Sequence, residues 1–187
     1  LAMRLGQFLE ALAQTFDVDL IVAPIAGAVA QDGARWAKSL GARVTTLEPQ
    51  DTLDTHFCLI TRIADPHERA TAFARLGLSS LAARLSTRAA LRCRELTEGR
   101  RYDLIHVARS YCSSLALSMN RGAAALSLDL DDDDERVFLE LATLDAMEGR
   151  SEASAWRELE AAAFRRLVRG LIPQFDRVWV SSPTDAK

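Results

Sequence analysis

The chain has 187 residues, 49% of them hydrophobic, and its 23 basic side chains face 26 acidic ones. This length fits one well-buried domain, so we expect residues 1–187 to form a single domain. A net charge of −3 gives no electrostatic reason to expect nucleic acid as a partner.

The three cysteines, Cys58, Cys93 and Cys112, are widely spaced and form no C-x-x-C pair. This pattern indicates neither a disulfide framework nor a zinc site, and it fits a reducing cytoplasm. No apolar run approaches the roughly 20 residues that a spanning helix needs. The opening residues are amphipathic and lack the features of a signal peptide. We therefore expect a cytoplasmic protein.

The first third of the chain alternates helix and strand patterns. Helical spacing of apolar residues predicts a helix over 3–15, and the aliphatic run "VDLIVAP" predicts a strand over 18–24. A second helix is predicted over 28–41, ending at Gly41, and a strand over 42–48. Residues 48–64 mix turn formers with a short apolar run, so we predict irregular structure there.

The remaining elements follow the same alternation. Asp65 and Pro66 open a helix that Glu68 supports and Gly77 closes, and Ser79 caps a single helix that runs to Gly99. Strands are predicted over 102–110, 123–130 and 175–183. Between them lie a helical stretch over 111–122 and two helices, one to about residue 147 and one from residue 151.

Strands that alternate with helices favour right-handed βαβ units. The predicted fold class is therefore α/β, with one open parallel Rossmann-like sheet covered by helices on both faces in a three-layer α/β/α arrangement. Ligands of such sheets bind beyond the carboxyl ends of the strands. Polar residues follow three predicted strands at this edge: Arg109, Ser110 and Tyr111; Asp129 and Asp131 to Asp134; Ser181 and Ser182.

The acidic run 131–134 has two interpretations. Acidic side chains at a helix N-terminus accept hydrogen bonds from free N–H groups and meet the positive end of the helix dipole. Alternatively the run belongs to a ligand or catalytic site, in which case Asp129 and Asp131 are the candidates because they lie nearest the strand. Asp129-Leu130-Asp131 also matches the D-x-D of haloacid-dehalogenase-like phosphatases, where the two acids act as nucleophile and general acid around Mg²⁺. That motif usually follows a first strand and carries Thr or Val where this chain has Asp133.

Arg84, Arg88 and Arg92 recur every four residues, which predicts one basic side of the helix that follows Ser79. A solvated helix edge is one interpretation, and a basic surface that touches anionic lipid or an anionic acceptor is the other. His106 lies inside a predicted strand, which favours a core histidine over a catalytic base. No glycine-rich phosphate-binding motif and no Ser–His–Asp arrangement is present.

Four segments in this order, "YDLIHVARSYCSSLAL", "AAALSLDLDDDDE", "WRELEAAAFRRL" and "FDRVWVSSPTDAK", resemble the N-terminal half of a retaining glycosyltransferase of the group-1 or family-4 type, which has two facing Rossmann-like domains (the GT-B fold). The resemblance covers most of residues 3–187. Family members usually begin with a further strand and a glycine-rich turn, and of that region only Arg4 has a counterpart here.

The resemblance implies an acceptor-binding domain, with Arg109, Ser110, Tyr111 and Arg4 as acceptor contacts. It implies no cofactor and no protein-bound metal. The acceptor would be sugar-containing or lipid-linked, and the nucleotide-sugar donor would bind a C-terminal domain beyond Lys187, so the chain alone is expected to be inactive. We therefore expect a cytoplasmic location, which would be at the inner membrane surface if the arginine side binds lipid. A non-catalytic α/β interaction domain is the alternative.

Overall fold

A computed structural model of the chain describes residues 2–25, 31–48, 54–76, 78–130 and 132–180, with only the backbone described for residues 2–4 and 31. The described residues belong to two compact units, Leu1–Thr52 and Leu53–Lys187. The helices are α1 (Ala2–Ala13), α2 (Gln31–Ser39), α3 (Thr55–Ile60), α4 (Pro66–Leu76), α5 (Ser80–Ala83), α6 (Thr87–Thr97), α7 (Ser113–Leu117), α8 (Asp134–Met147) and α9 (Ser151–Leu171). The strands are β1 (Asp19–Val22), β2 (Arg43–Thr46), β3 (Leu104–Val107), β4 (Ala125–Leu130) and β5 (Arg177–Val180).

The first unit pairs β1 with β2 in parallel, with Asp19 opposite Arg43. Helix α2 connects the two strands and ends where Gly41 adopts a φ of +86°. The N–H groups of Gly41 and Ala42 return to the carbonyls of Lys38 and Ala37, which is the Schellman arrangement that satisfies the last carbonyls of a helix. The predicted helix end at Gly41 is confirmed.

The second unit contains a three-stranded parallel sheet in the order β3-β4-β5. Leu104 of β3 lies opposite Ala125, and Ser127 of β4 lies opposite Arg177. The hydrophobic core forms around the central strand β4, whose Leu128 is fully buried. The residues packed with it come from β3, from β4 itself, from α7 and α9, and from the segment that leads into β5: Ile105, Val107, Ala116, Leu126, Leu171 and Phe175.

The α/β class with parallel strands and flanking helices is confirmed. The prediction of a single open Rossmann-like sheet is wrong, because the described strands lie in two small sheets. Hydrophobic runs identify buried strands but carry no information on which strands pair, since pairing depends on contacts far apart in sequence.

Two predictions of local structure are also wrong. Residues 55–60, predicted to be irregular, form α3, because the Asp54 carboxylate accepts hydrogen bonds from the N–H groups of His56 and Phe57 and starts a helix there. The single helix from Ser79 to Gly99 is two helices. Ser79 caps α5, and a second cap at Ser86, which accepts from the Ala89 N–H at 3.0 Å, starts α6.

Other predicted boundaries are confirmed. The Asp65 side chain accepts from the Glu68 N–H at 2.8 Å at the start of α4. Helix α8 ends at Met147 and α9 begins at Ser151, as predicted, and α1 matches the first predicted helix. The predicted helix over 111–122 is shorter, a 3-10 turn at Ser110–Cys112 followed by α7. Gly77, Ser181 and Ser182 lie outside the described residues.

Helices α8 and α9 pack against each other through Phe138 and Phe164, whose rings stack with centroids 5.4 Å apart. At the turn between these helices, the buried carboxylate of Asp145 accepts from Arg150, with Nε at 2.8 Å. That hydrogen bond, more than any other influence, lowers the pKa of Asp145. The stacked rings and the Asp145–Arg150 hydrogen bond hold the two helices together.

Candidate functional site

The carboxyl ends of β3 and β4 bring together the residues that follow these strands. Because the strands are adjacent and parallel, Arg109 and Ser110 after β3 meet Asp132 and Asp134 after β4. We call Arg109, Ser110, Tyr111, Asp132 and Asp134 the edge cluster. The sequence placed these side chains at one edge of a sheet, and the geometry of the described residues agrees.

Arg109 is the cation of the edge cluster. Its Nη1 donates to Asp132 Oδ2 at 2.8 Å, and its side chain is 16% exposed. Burial lowers the pKa of Arg109, but the bond to Asp132, the charges of Asp132 and Asp134 and, at high pH, the Tyr111 phenolate together raise it above the ordinary value. Arg109 is therefore a permanently charged group that is already engaged with a carboxylate of its own chain.

Ser110 and Asp134 form the second contact of the edge cluster. The Ser110 hydroxyl donates to Asp134 Oδ2 at 3.3 Å, and Ser110 itself is only 2% exposed. Burial raises the pKa of Asp134, whereas the Arg109 charge and the Ser110 hydroxyl oppose the shift. In this conformation Ser110 orients the Asp134 carboxylate, and Asp134 is the more accessible of the two.

Tyr111 is the third polar residue after β3, in the 3-10 turn. Burial raises the pKa of its phenol, and the neighbouring Arg109 acts in the opposite direction. The phenol is therefore neutral at pH 7 and can donate or accept a hydrogen bond. Tyr111 is partly exposed, as a ligand contact requires.

Asp133 has a different function from its neighbours. Its carboxylate accepts from the Arg136 N–H at 3.1 Å and so caps the N-terminus of α8. The capping interpretation of the acidic run is thus confirmed for Asp133, while Asp132 and Asp134 contact the residues that follow β3. Sequence spacing could not separate these roles, because three consecutive aspartates look alike until the helix start is known.

Asp129, the first candidate of the D-x-D pattern, is inside β4 and 4% exposed. Asp131 lies outside the described residues, as does the side chain of Arg4. Among the described side chains, no group of three or more histidine, cysteine, aspartate or glutamate residues could hold a metal ion.

His106 has a structural role in the sheet. Its Nδ1 lies 2.7 Å from the Ser127 hydroxyl on the adjacent strand, and burial lowers its pKa to about 4. The imidazole is therefore neutral at pH 7. Cys93 and Cys112 are free thiols whose pKa values burial raises to about 11 and about 12, respectively, so both are protonated at pH 7.

The predicted basic helix side is not continuous. Arg84 ends α5, while Arg88 and Arg92 belong to α6, so the three do not share one helix. The Arg84 guanidinium lies over the Phe57 ring, 5.3 Å from its centroid, instead of on an outer edge. Arg92 pairs with Glu95 at 2.9 Å. In the part of the chain that the structure describes, no helix combines the length and the apolar character of a membrane span.

These observations define the class of the second unit as a small parallel α/β fold with a charged and hydroxyl-bearing edge. No protein-family model, curated protein or solved structure matches the chain. The functional argument therefore depends on the edge cluster.

Proposed function

We propose that this chain is the acceptor-binding part of an enzyme that transfers a sugar from a nucleotide-sugar donor to a sugar-containing or lipid-linked acceptor. The observation that carries the proposal is the edge cluster, because it combines a guanidinium, carboxylates and a phenol at the carboxyl ends of two adjacent parallel strands. Sugars are bound in proteins by such planar polar groups, which donate to and accept from hydroxyls.

The chemistry of the edge cluster suits acceptor binding. Asp132 is 45% exposed and Tyr111 is partly exposed, so both present hydrogen-bonding atoms to solvent. Arg109 and Ser110 hold the two carboxylates in place, which lowers the entropy cost of ordering them around a ligand. The same four segments that resemble family-4 glycosyltransferases contain this edge.

Ligand-observed NMR tests the proposal. The chain would be mixed with a panel of monosaccharides and disaccharides, and saturation transfer from protein to sugar would be measured. We expect transfer to at least one sugar, and we expect Asp134→Asn to weaken it at least threefold, since an amide accepts a hydrogen bond less strongly than a carboxylate.

The matched control is Glu140→Gln, which makes the same chemical change on the outer face of α8, where Glu140 pairs with Arg136 at 2.9 Å. It should leave saturation transfer unchanged. Equal loss in both variants, or no transfer to any sugar, would count against the proposal. A second assay would incubate the chain with nucleotide sugars and acceptors, and turnover by this chain alone would contradict a purely acceptor-binding role.

The phosphatase alternative has its own test. Hydrolysis of p-nitrophenyl phosphate that needs Mg²⁺ and disappears in Asp129→Asn would replace the transferase proposal. The burial of Asp129 gives no reason to expect such activity, because a nucleophile must reach its substrate.

A further inference from the structure

The charge of the edge cluster restricts which acceptors can bind there. This inference rests on the function proposed above. An arginine at the end of a strand can bind a phosphate or carboxylate through two parallel hydrogen bonds. Here the Arg109 guanidinium already donates to Asp132 at 2.8 Å and is 16% exposed. An anionic ligand would therefore have to displace the Asp132 carboxylate or lie directly beside it.

The carboxylates around Arg109 outnumber it. Asp132, Asp133 and Asp134 follow β4 within three consecutive positions, and Asp129 lies inside the same strand end. The two other arginines close to these aspartates form ion pairs with glutamates: Arg165 Nε donates to Glu135 at 2.7 Å, and Arg136 binds Glu140. Among the described residues, the edge thus carries more negative than positive charge.

The negative charges of Asp132 and Asp133 both act on Asp134. Burial is the main cause of the raised pKa of Asp134; the Arg109 charge and the Ser110 hydroxyl oppose that shift, and the charges of Asp132 and Asp133 add smaller increases. A ligand with negative charge would experience the same repulsion. A hydroxyl would not, and a protonated amine would be attracted.

The geometry points to an acceptor whose contacting part bears hydroxyl or amine groups and no anionic group. Asp132 determines this selectivity, because it already binds Nη1 of the guanidinium that an anion would need and adds a negative charge beside it. Removing the charge of Asp132 should make Arg109 accessible to an anion.

Competition NMR with three probes tests the inference: glucose, glucosamine and glucose 6-phosphate at about pH 6.5, where the amine is protonated. For the unsubstituted chain we expect glucosamine to bind at least as tightly as glucose, and glucose 6-phosphate at least tenfold more weakly. Asp132→Asn should reduce that tenfold discrimination to about threefold or less, and Glu140→Gln should leave it unchanged. Added NaCl should weaken glucosamine binding and spare glucose.

The outcomes separate the two proposals. If glucose 6-phosphate binds the unsubstituted chain as tightly as glucose does, the inference is wrong and acceptor binding stands. If none of the three probes binds, acceptor binding at this edge is itself overturned. The salt dependence and the probe ranking of the unsubstituted chain decide the matter even where Asp132→Asn does not fold.

Discussion

The acidic run offers a quantitative test of which aspartate supports the helix and which serves the edge. Asp133 Oδ1 accepts from the Arg136 N–H at 3.1 Å at the start of the 14-residue helix α8. Asp133→Ala removes this acceptor, at a cost of about 1 kcal/mol. It also removes a negative charge from the positive end of the helix dipole, at a cost of roughly 0.3 to 1 kcal/mol. We expect a total loss of about 1 to 2 kcal/mol in the free energy of unfolding.

Asp133→Asn separates the two contributions. Asparagine keeps a carbonyl oxygen that can cap the helix but lacks the charge, so only the dipole contribution of roughly 0.3 to 1 kcal/mol should be lost. That smaller loss should shrink further at high salt, since charge–dipole interactions are screened. The Ala variant should remain destabilised in salt, because its missing hydrogen bond is insensitive to ionic strength.

Urea unfolding followed by circular dichroism at 222 nm measures both variants. The free energy would be extrapolated to zero urea with a common slope, and sugar binding would be measured on the same samples. Asp133→Ala should lose stability and keep its ligand preference. If it is as stable as the unsubstituted chain, Asp133 does not cap α8, and the whole acidic run would return to consideration as a ligand site.

Three further predictions concern the core and the buried titratable groups. Leu128→Ala, at a fully buried position of the central strand, should cost roughly 2 to 5 kcal/mol in urea unfolding, and a loss below about 1 kcal/mol would contradict the placement of β4 in the core. Cys93 and Cys112, with pKa values of about 11 and about 12, should react far more slowly with a thiol reagent at about pH 8 in the folded chain than in urea, and equal rates would refute the burial of Cys93 and the partial burial of Cys112. Burial lowers the pKa of His106 to about 4, so as the pH falls below about 6.5 this histidine is protonated in the unfolded state before it is protonated in the folded state. The free energy of unfolding should therefore fall by up to about 3 kcal/mol between about pH 6.5 and about pH 4. His106→Gln should flatten this part of the pH–stability curve, and an unchanged slope would show that His106 is not the group responsible.

Much of the local structure could be predicted from the sequence. Helix starts with an acid or serine cap followed by a good first turn, such as Asp65 before α4 and Ser79 before α5, depend on neighbouring residues only. The same holds for Gly41, where a positive φ favours glycine. The largely apolar segment 123–130 predicted a strand, and β4 forms there with its four central residues buried.

Short elements escaped prediction for a physical reason. Helix α3 has six residues, too few for a periodic pattern to stand out from turn formers. Ser86 could equally continue a helix or cap one. Its backbone is extended in the structure, so it caps α6. Arg84 shows the consequence, since its contact with the Phe57 ring joins residues 27 positions apart and interrupts the basic side that the spacing predicted.

By itself, the sequence determined where most of the strands and the longer helices lie and that polar residues follow β3 and β4, because these properties depend mainly on near neighbours. Only the tertiary structure decided which strands pair, and therefore that Arg109 meets Asp132 and that Ser110 meets Asp134, across separations of 23 and 24 residues. Strand pairing is decided by many weak long-range contacts in the core, and no short sequence pattern encodes their sum. The division of the acidic run into a helix cap at Asp133 and an arginine partner at Asp132 followed from that pairing.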